Sequence, residues 1–348
     1  MKKFLFFLVF IFLLLLAVGI VGEATLRLLG FKPDISDPRS LVRVVPGGKY
    51  YRADDYLGYT HLPGSFRVSL PTGYSFQTTH DSNTLRITHP SEEDYQYSPK
   101  DKLWIFGCSV THGWSINDRE TYPWKLQKDI PGYDVVNYGV SGYGTIHSLL
   151  QLERDLKTKR KPKIVILAYM SMHDARNTLT ASRRKAATVF NFLGPVCQPY
   201  ASLDKNGLLV ISRPVDVVYH KVPFNTVSAL IHFLERAFNT IEAKFSNSHE
   251  VTRAIISEME TVCRKDSIVF ILAGIDNDRL THEMLDYFRG KGVLTIDISL
   301  DNRSGKFSNL PFDAHPNGLA NTLYAQKLAD FIKQKNLIKH PAGNKRNL

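Results

Sequence analysis

Five short apolar runs constrain the fold of this chain more than any other feature: "KLWIFG", "DVVNYG", "KIVILAYM", "SIVFILAG" and "VLTIDIS". Each is strand-length, and together they are rich in Val and Ile with few polar breaks. That pattern suits parallel strands covered on both faces rather than a sheet with one wet side. Helical stretches lie between and after them: "YPWKLQKDI", "GTIHSLLQLERDLKT", "VTRAIISEMETVCRK", "THEMLDYFRGKG" and "NGLANTLYAQKLADFIKQK". Strand alternating with helix predicts an α/β fold, a doubly wound and mostly parallel open sheet. In such sheets ligands bind beyond the carboxyl ends of the strands. A chain of 348 residues is long enough to bury a core of this kind without disulfide or metal staples.

The rest of the chain is organised around that rhythm. Behind Lys2 and Lys3, the run from Phe4 to Gly22 carries no charge. As a helix it spans roughly 28 Å, close to the hydrocarbon thickness of a bilayer. A cleavable signal peptide has a shorter apolar region, about 7–15 residues, and ends in a small-residue cleavage site. This run is longer and no such site follows, so residues 1–30 are expected to be a membrane anchor, halted by Gly30 and Pro33. The two lysines then stay cytoplasmic and everything beyond the anchor is extracytoplasmic. Residues 31–100 are rich in Tyr, Thr, Ser, Gly and Pro, and stretches such as "GSFRVSL" and "GYSFQTTH" predict a β-rich lead-in. Residues 101–337 carry the α/β pattern, interrupted over about 178–250 by an insertion without it. An insertion of that length is expected to lie over the strand ends as a lid or substrate platform. The tail, 338–348, is polar and basic, and is expected to be flexible.

Net charge and cysteine count narrow the partners. A formal charge of +11 on an exported chain points to lipid headgroups or acidic polysaccharide, and no nucleic-acid-binding motif is present. Three cysteines, Cys108, Cys197 and Cys263, make neither a disulfide framework nor a zinc spacing. A single bridge between Cys197 and Cys263 would be compatible with an oxidising compartment. His112, His173, Asp174 and His315 are metal-ligand types without metal-ligand spacing, so neither a metal nor another cofactor is expected.

The stretch "IFGCSVTHGW" joins the end of the first strand to a turn. Ser109 there is a candidate nucleophile, Cys108 an alternative, and a plain turn a third reading. A serine hydroxyl needs a base, and "LPFDAHPNGLAN", about 200 residues on, places Asp313 and His315 just before the last helix. An Asp near a His can hold the imidazole in one tautomer and stabilise the cation formed when it takes a proton.

On these residues the chain resembles the SGNH/GDSL hydrolase family, over roughly residues 102–335. "FGCSVTHG" resembles the first family block, with Cys108 where Asp is usual, and "NYGVSGYGT" the second. "YMSMHDARN" sits in the place of the third block and "DAHPN" in that of the last. The resemblance implies a five-stranded, flavodoxin-like sheet. It also implies a catalytic set of Ser109, Asp313 and His315, and an oxyanion hole built from the Ser109 and Gly142 N–H groups. The third block normally supplies an Asn donor to that hole, and here the position is His173, followed by Asp174. A neutral imidazole can donate there too. The family acid usually lies three residues before the histidine, where this chain has Phe312. Asp313 instead makes the D-x-H spacing of relatives that modify bacterial exopolysaccharides. Arg176 and Asn177, which close the third block, are candidates for contact with an anionic or sugar group; a salt bridge or helix cap is the alternative.

The expected function is therefore that of a membrane-anchored serine esterase. Its substrate class would be an acylated glycan or lipid of the cell envelope, an O-acetyl ester first among them. Transfer of the acyl group to a polysaccharide hydroxyl, with envelope biosynthesis proteins as partners, is the alternative from the same chemistry. A catalytically silent assembly or binding component is the alternative from another class.

Overall fold

All five apolar runs are strands of one parallel sheet in a computed structural model, which describes residues 2–34, 42–89, 101–301 and 305–337. The expected flexible tail lies outside the described residues, as does part of the lead-in.

The chain opens with α1 (Lys2–Leu28), long and apolar enough to cross a membrane and without a buried residue. The lead-in forms β1 (Arg43–Val45), β2 (Tyr51–Asp54), β3 (Gly58–His61), β4 (Gly64–Ser69) and β5 (Ser75–His80). Strands β1, β4 and β5 make one antiparallel sheet and β2–β3 a hairpin. Next come β6 (Asp101–Phe106), the short helix α2 (Ser109–His112), α3 (Tyr122–Asp129) and β7 (Tyr133–Asn137). They are followed by α4 (Thr145–Thr158), β8 (Ile164–Tyr169) and α5 (Met172–Asn177). The insertion contributes α6 (Ala181–Thr188), the hairpin β9 (Cys197–Leu203) and β10 (Leu209–Asp216), and α7 (Ala229–Phe245). The α/β rhythm resumes with α8 (Ser248–Lys265), β11 (Val269–Gly274), α9 (Arg279–Gly290), β12 (Leu294–Asp297) and α10 (Gly318–Gln334).

The parallel sheet runs in the order β12-β11-β8-β6-β7, the flavodoxin-like order read from the other edge. Side-chain alternation along each strand decides which layer it feeds. Trp104 and Phe106 face α4, α8 and α9, in a core with Ile146, Ile255, Met259 and Phe288. Leu103 and Ile105 face α3 and α10, in a core with Leu126, Tyr324 and Leu328. Burial of both faces is why these runs are continuously apolar. The lead-in shares the first core, because Val68 and Phe76 belong to the same cluster as Trp104. Cys197 and Cys263 are both free: the first sits in β9 with its thiol on Asp216, the second is buried within α8. No bridge joins them.

Where the lead-in meets α2, three imidazoles are buried together. His61 lies face to face with His80, centroids 4.2 Å apart and planes within 7°, and is tilted 35° against His112. His80 Nδ1 lies 2.9 Å from the Leu62 carbonyl and its Nε2 3.0 Å from His112 Nε2. His61 and His80 stack as parallel rings, His112 is tilted against both, Tyr50 stands at their edge, and one nitrogen from each imidazole lies within 4.8 Å of the others. Burial, reinforced by mutual repulsion and the nearby Arg86 cation, holds all three below the usual histidine range, His80 at about 3. The unfolded chain therefore takes up protons first, and stability falls as pH drops below about 6.5 toward those folded values. Neither ring nitrogen of His61 has a hydrogen-bond partner among the described residues. Removing both by His61→Phe deletes two unsatisfied polar atoms and keeps the stack. The melting temperature is expected to rise by roughly 2–4 °C, the shift about 1 kcal/mol produces in a domain of a few hundred residues. The loss of stability in acid should also become shallower. A fall in melting temperature at neutral pH would show that those nitrogens are bound.

Candidate active site

The site is assembled at the carboxyl ends of β6, β7 and β8, where three loops and the segment before α10 converge. Chain direction reverses sharply after Phe106: Cys108 is the last extended residue and Ser109 the first of α2. That helix lasts only four residues because Gly113 adopts a left-handed conformation, φ 87°, with the Arg86 guanidinium 3.2 Å from where a Cβ would stand. The turn therefore presents one side chain at its tip, and it is Ser109. Cys108 points into the core beneath, its sulfur 3.5 Å from Met170 Sδ.

Ser109 Oγ lies 2.9 Å from His315 Nε2, and His315 Nδ1 lies 2.7 Å from Asp313 Oδ1. The D-x-H spacing has a local cause. The same Asp313 oxygen also accepts the His315 backbone N–H at 2.8 Å, so a two-residue turn closes on its own carboxylate. An acid one residue earlier would serve a different turn. Phe312, at that earlier position, is half exposed and stacks on Tyr74 of the lead-in, centroids 5.7 Å apart. The loop is pinned from the nucleophile side by Asn309, whose Nδ2 donates to the Ser115 carbonyl and hydroxyl at 2.8 and 2.9 Å. From the helix side Asn317 caps α10 and donates to Ser308 O. Burial raises the Asp313 pKa, but hydrogen bonds from His315 and its charge outweigh that and hold the carboxyl below its ordinary value. Asp313 therefore stays ionised wherever the imidazole can work as a base, and its contribution is lost only when pH falls below the usual carboxylate range.

Gly142, in the loop after β7, has φ +88°, a conformation that costs a side-chain-bearing residue energy. There is also no room for one, since a Cβ would stand 2.5 Å from the Tyr59 hydroxyl. Its carbonyl is held by Arg183 Nη2 at 2.7 Å and that of Ser141 by Tyr59 Oη at 2.8 Å. With both carbonyls tied back, the Gly142 N–H has no protein acceptor among the described residues. The Ser109 N–H, first in its helix, has no intrahelical one. His173, in α5, is fully buried, with Nδ1 3.3 Å from Thr145 Oγ1 and the Cys108 thiol alongside. Its Nε2 has no partner among the described residues.

Arg176 and Asn177, candidates for either substrate contact or internal bracing, are turned into the protein. Arg176 Nη1 donates to the Tyr143 carbonyl at 2.8 Å. Asn177 accepts from the Ile146 N–H and donates to Thr252, fastening the start of α4. Both are buried with polar atoms bonded to protein, the arrangement of the bracing alternative. Asp174 is bound by the Tyr169 hydroxyl and His249, and takes no part in orienting His315.

Arg86 escaped the sequence reading. Buried to 1% exposure, it pairs with Asp118 at 3.0 Å and donates to the carbonyls of His112, Gly113, Ile116 and Gln77. It clamps the turn behind the nucleophile from a strand-like segment of the lead-in. No local pattern marks it, because its partners lie in two other segments, Gln77 in β5 and residues 112–118 behind Ser109.

The carboxylate's role is open to a direct test. Asp313→Asn keeps the shape but favours the wrong imidazole tautomer, and is expected to cost about four orders of magnitude in turnover. Phe312→Ala removes only a ring stacked at the rim, and should change turnover less than about tenfold while lowering the melting temperature by a few degrees. Similar mild losses in both variants would mean that another group orients His315.

No family model matches the chain, and no curated protein matches it either. Among solved structures it is similar to a lipolytic protein of the G-D-S-L family from Desulfitobacterium hafniense, with 14% identity and a TM-score of 0.39 over 67% of this chain and 99% of that one. It is also similar to a GDSL-like lipase from Bacteroides ovatus, with 13% identity and a TM-score of 0.36 over 89% and 80% of the two chains. A third is an active-site mutant of a family two carbohydrate esterase from Clostridium thermocellum, with 12% identity and a TM-score of 0.36 over 69% and 65%. Likenesses this distant assign no chemistry, which rests on the arrangement of Ser109, His315 and Asp313.

Proposed function

We propose that the protein is a membrane-anchored serine esterase of the SGNH type, cleaving an acyl ester of a cell-envelope glycan or lipid through an acyl-enzyme. One observation carries the reading: Ser109, His315 and Asp313, drawn from loops about 200 residues apart, are hydrogen-bonded in series at 2.9 and 2.7 Å. His315 takes the Ser109 proton as Oγ attacks the acyl carbonyl, and returns it to the leaving alcohol. It then draws a proton from the water that releases the acid. The Ser109 and Gly142 N–H groups stand ready for the oxyanion. His173 is the third donor, in the tautomer protonated at Nε2: Thr145 Oγ1 lies 3.3 Å from Nδ1, and Nε2 has no partner among the described residues. The anchor and the positive charge suit a substrate at or near an anionic envelope surface.

A fluorophosphonate probe and a small acetyl ester test the nucleophile. Parent protein and Cys108→Ala should both label and turn over, whereas Ser109→Ala should do neither, with turnover lower by about three orders of magnitude or more. Labelling lost with Cys108 rather than Ser109 would reverse the assignment, and an unreactive parent would leave a protein that binds without catalysing. Adding a glycan acceptor distinguishes transfer from hydrolysis, since transfer would move the acyl group onto the sugar.

The oxyanion role of His173 has its own signature. His173→Ala should lower kcat by roughly a hundred- to thousandfold, the loss expected for one oxyanion donor, with little change in KM. His173→Asn, which restores an N–H donor, should recover much of it. Equal rates in both variants, near that of the parent, would remove His173 from the mechanism.

A further inference from the structure

The end of α1 is built into the insertion. Glu23, just past the uncharged run, accepts hydrogen bonds from Ser228 Oγ, the Ala229 N–H and the Leu230 N–H at 2.7, 3.0 and 2.8 Å. It thereby caps the N-terminus of α7 from another helix. Arg27 Nη2 donates to the Val227 carbonyl at 2.8 Å, His232 Nδ1 lies 2.8 Å from the Lys32 carbonyl, and Phe31 meets Phe233 edge-on. Gly22 packs close enough to Leu230 that a Cβ there would already be in contact, at 3.4 Å. The first turns of α7 are thus held level with residues 22–32, where the apolar part of α1 ends.

From that point α7 runs on with an uncovered apolar stripe. Leu234, Phe238, Ile241 and Phe245 recur at i, i+4, i+7 and i+11, one face of a helix, and are 52%, 63%, 52% and 83% exposed. The stripe continues the line of Leu230, which touches α1. Phe224, 72% exposed in the loop before α7, extends it beside the α1 contact. The other side of α7 is fastened to the protein. Glu235 there is buried and bound by Lys185 at 2.8 and 2.9 Å, by Asn225 at 2.7 Å and by Tyr219. The exposed face is therefore not free to turn inward.

We propose that this face of α7 lies in the surface of the bilayer that α1 enters, its four apolar side chains among the lipid acyl chains just below the headgroups. The inference rests on the reading of α1 as a membrane span. Continuity with α1 selects lipid as the occupant, because a helix tied to the exit of a span meets the bilayer surface before any other. An interfacial helix of this kind holds the insertion, and through Arg183 the Gly142 loop, in one attitude to the membrane. The esterase site then faces substrates carried at that surface.

Full-length protein in phosphatidylcholine vesicles, with and without brominated acyl chains, decides the matter. Single tryptophans would be added by Phe12→Trp within α1, Phe238→Trp on the stripe and Thr240→Trp on the opposite side of α7. Acetyl-ester turnover confirms that each variant is folded. The emission added at 12 and at 238 should fall about twofold or more in brominated lipid, while that at 240 should change little. Quenching at 12 without quenching at 238 overturns the proposal and leaves the span intact. No quenching at 12 removes the span itself. Emission at 238 shielded from aqueous acrylamide yet untouched by brominated lipid would mean that a second copy of the chain covers the stripe, which also overturns it. Equal quenching at 238 and 240 would rule out a face-on helix.

Discussion

A guanidinium buried to 1% exposure organises the active-site side of this protein. Arg86 cannot be left without partners in the interior, since an unpaired buried charge is among the costliest groups a fold can hold. Its donors are met by Asp118, by the Gln77 carbonyl and by three carbonyls just behind Ser109, those of His112, Gly113 and Ile116. These three close the end of a helix of only four residues, too short to hold its own geometry, and the turn that follows it. Arg86 supplies the missing restraint, and the lead-in that carries it becomes part of the catalytic architecture. Asn137 adds a second tie, donating to the Thr111 carbonyl from the end of β7.

The same economy appears on the oxyanion side. Gly142 is positioned by groups that never meet the substrate: Tyr59 from the lead-in holds the preceding carbonyl and Arg183 from the insertion holds its own. Burial draws Arg183 down to about 10, so it stays charged at neutral pH. Arg176 adds a second cation to the same loop, donating to the Tyr143 carbonyl next to Gly142. Lead-in and insertion thus converge on one loop, from before it and after it in the sequence. Neither is an appendage to the sheet.

Much of the site was legible in the residues, for local reasons. Ser109 follows a strand and opens a turn, and Asp313 and His315 are two apart just before a helix, so short-range geometry reads directly from spacing. Cys108 as a small buried filler followed from its place beside the residue the turn presents. Arg176 and Asn177 were left open between two roles because their residue types suit both substrate contact and internal bracing. Only the proximity of the Tyr143 carbonyl, the Ile146 N–H and Thr252 decides between the two. Arg86, Tyr59 and Arg183 were not singled out, since each acts on a partner many residues away. The stack of His61, His80 and His112 was invisible for the same cause.

By itself the sequence determined the parallel sheet, its two covering layers and the apolar first helix, and it singled out the three side chains that the structure joins in series, Ser109, His315 and Asp313. Periodicity, strand-end position and short spacings are local quantities, and local sterics fix what they mean. The tertiary structure alone decided that Asp313 closes a turn on the His315 N–H as well as holding its ring, that the lead-in clamps the turn carrying Ser109, and that α7 is tied to the end of α1. These depend on which distant groups satisfy a buried charge, an orphaned carbonyl or a helix terminus, and that is settled only when the whole chain has packed.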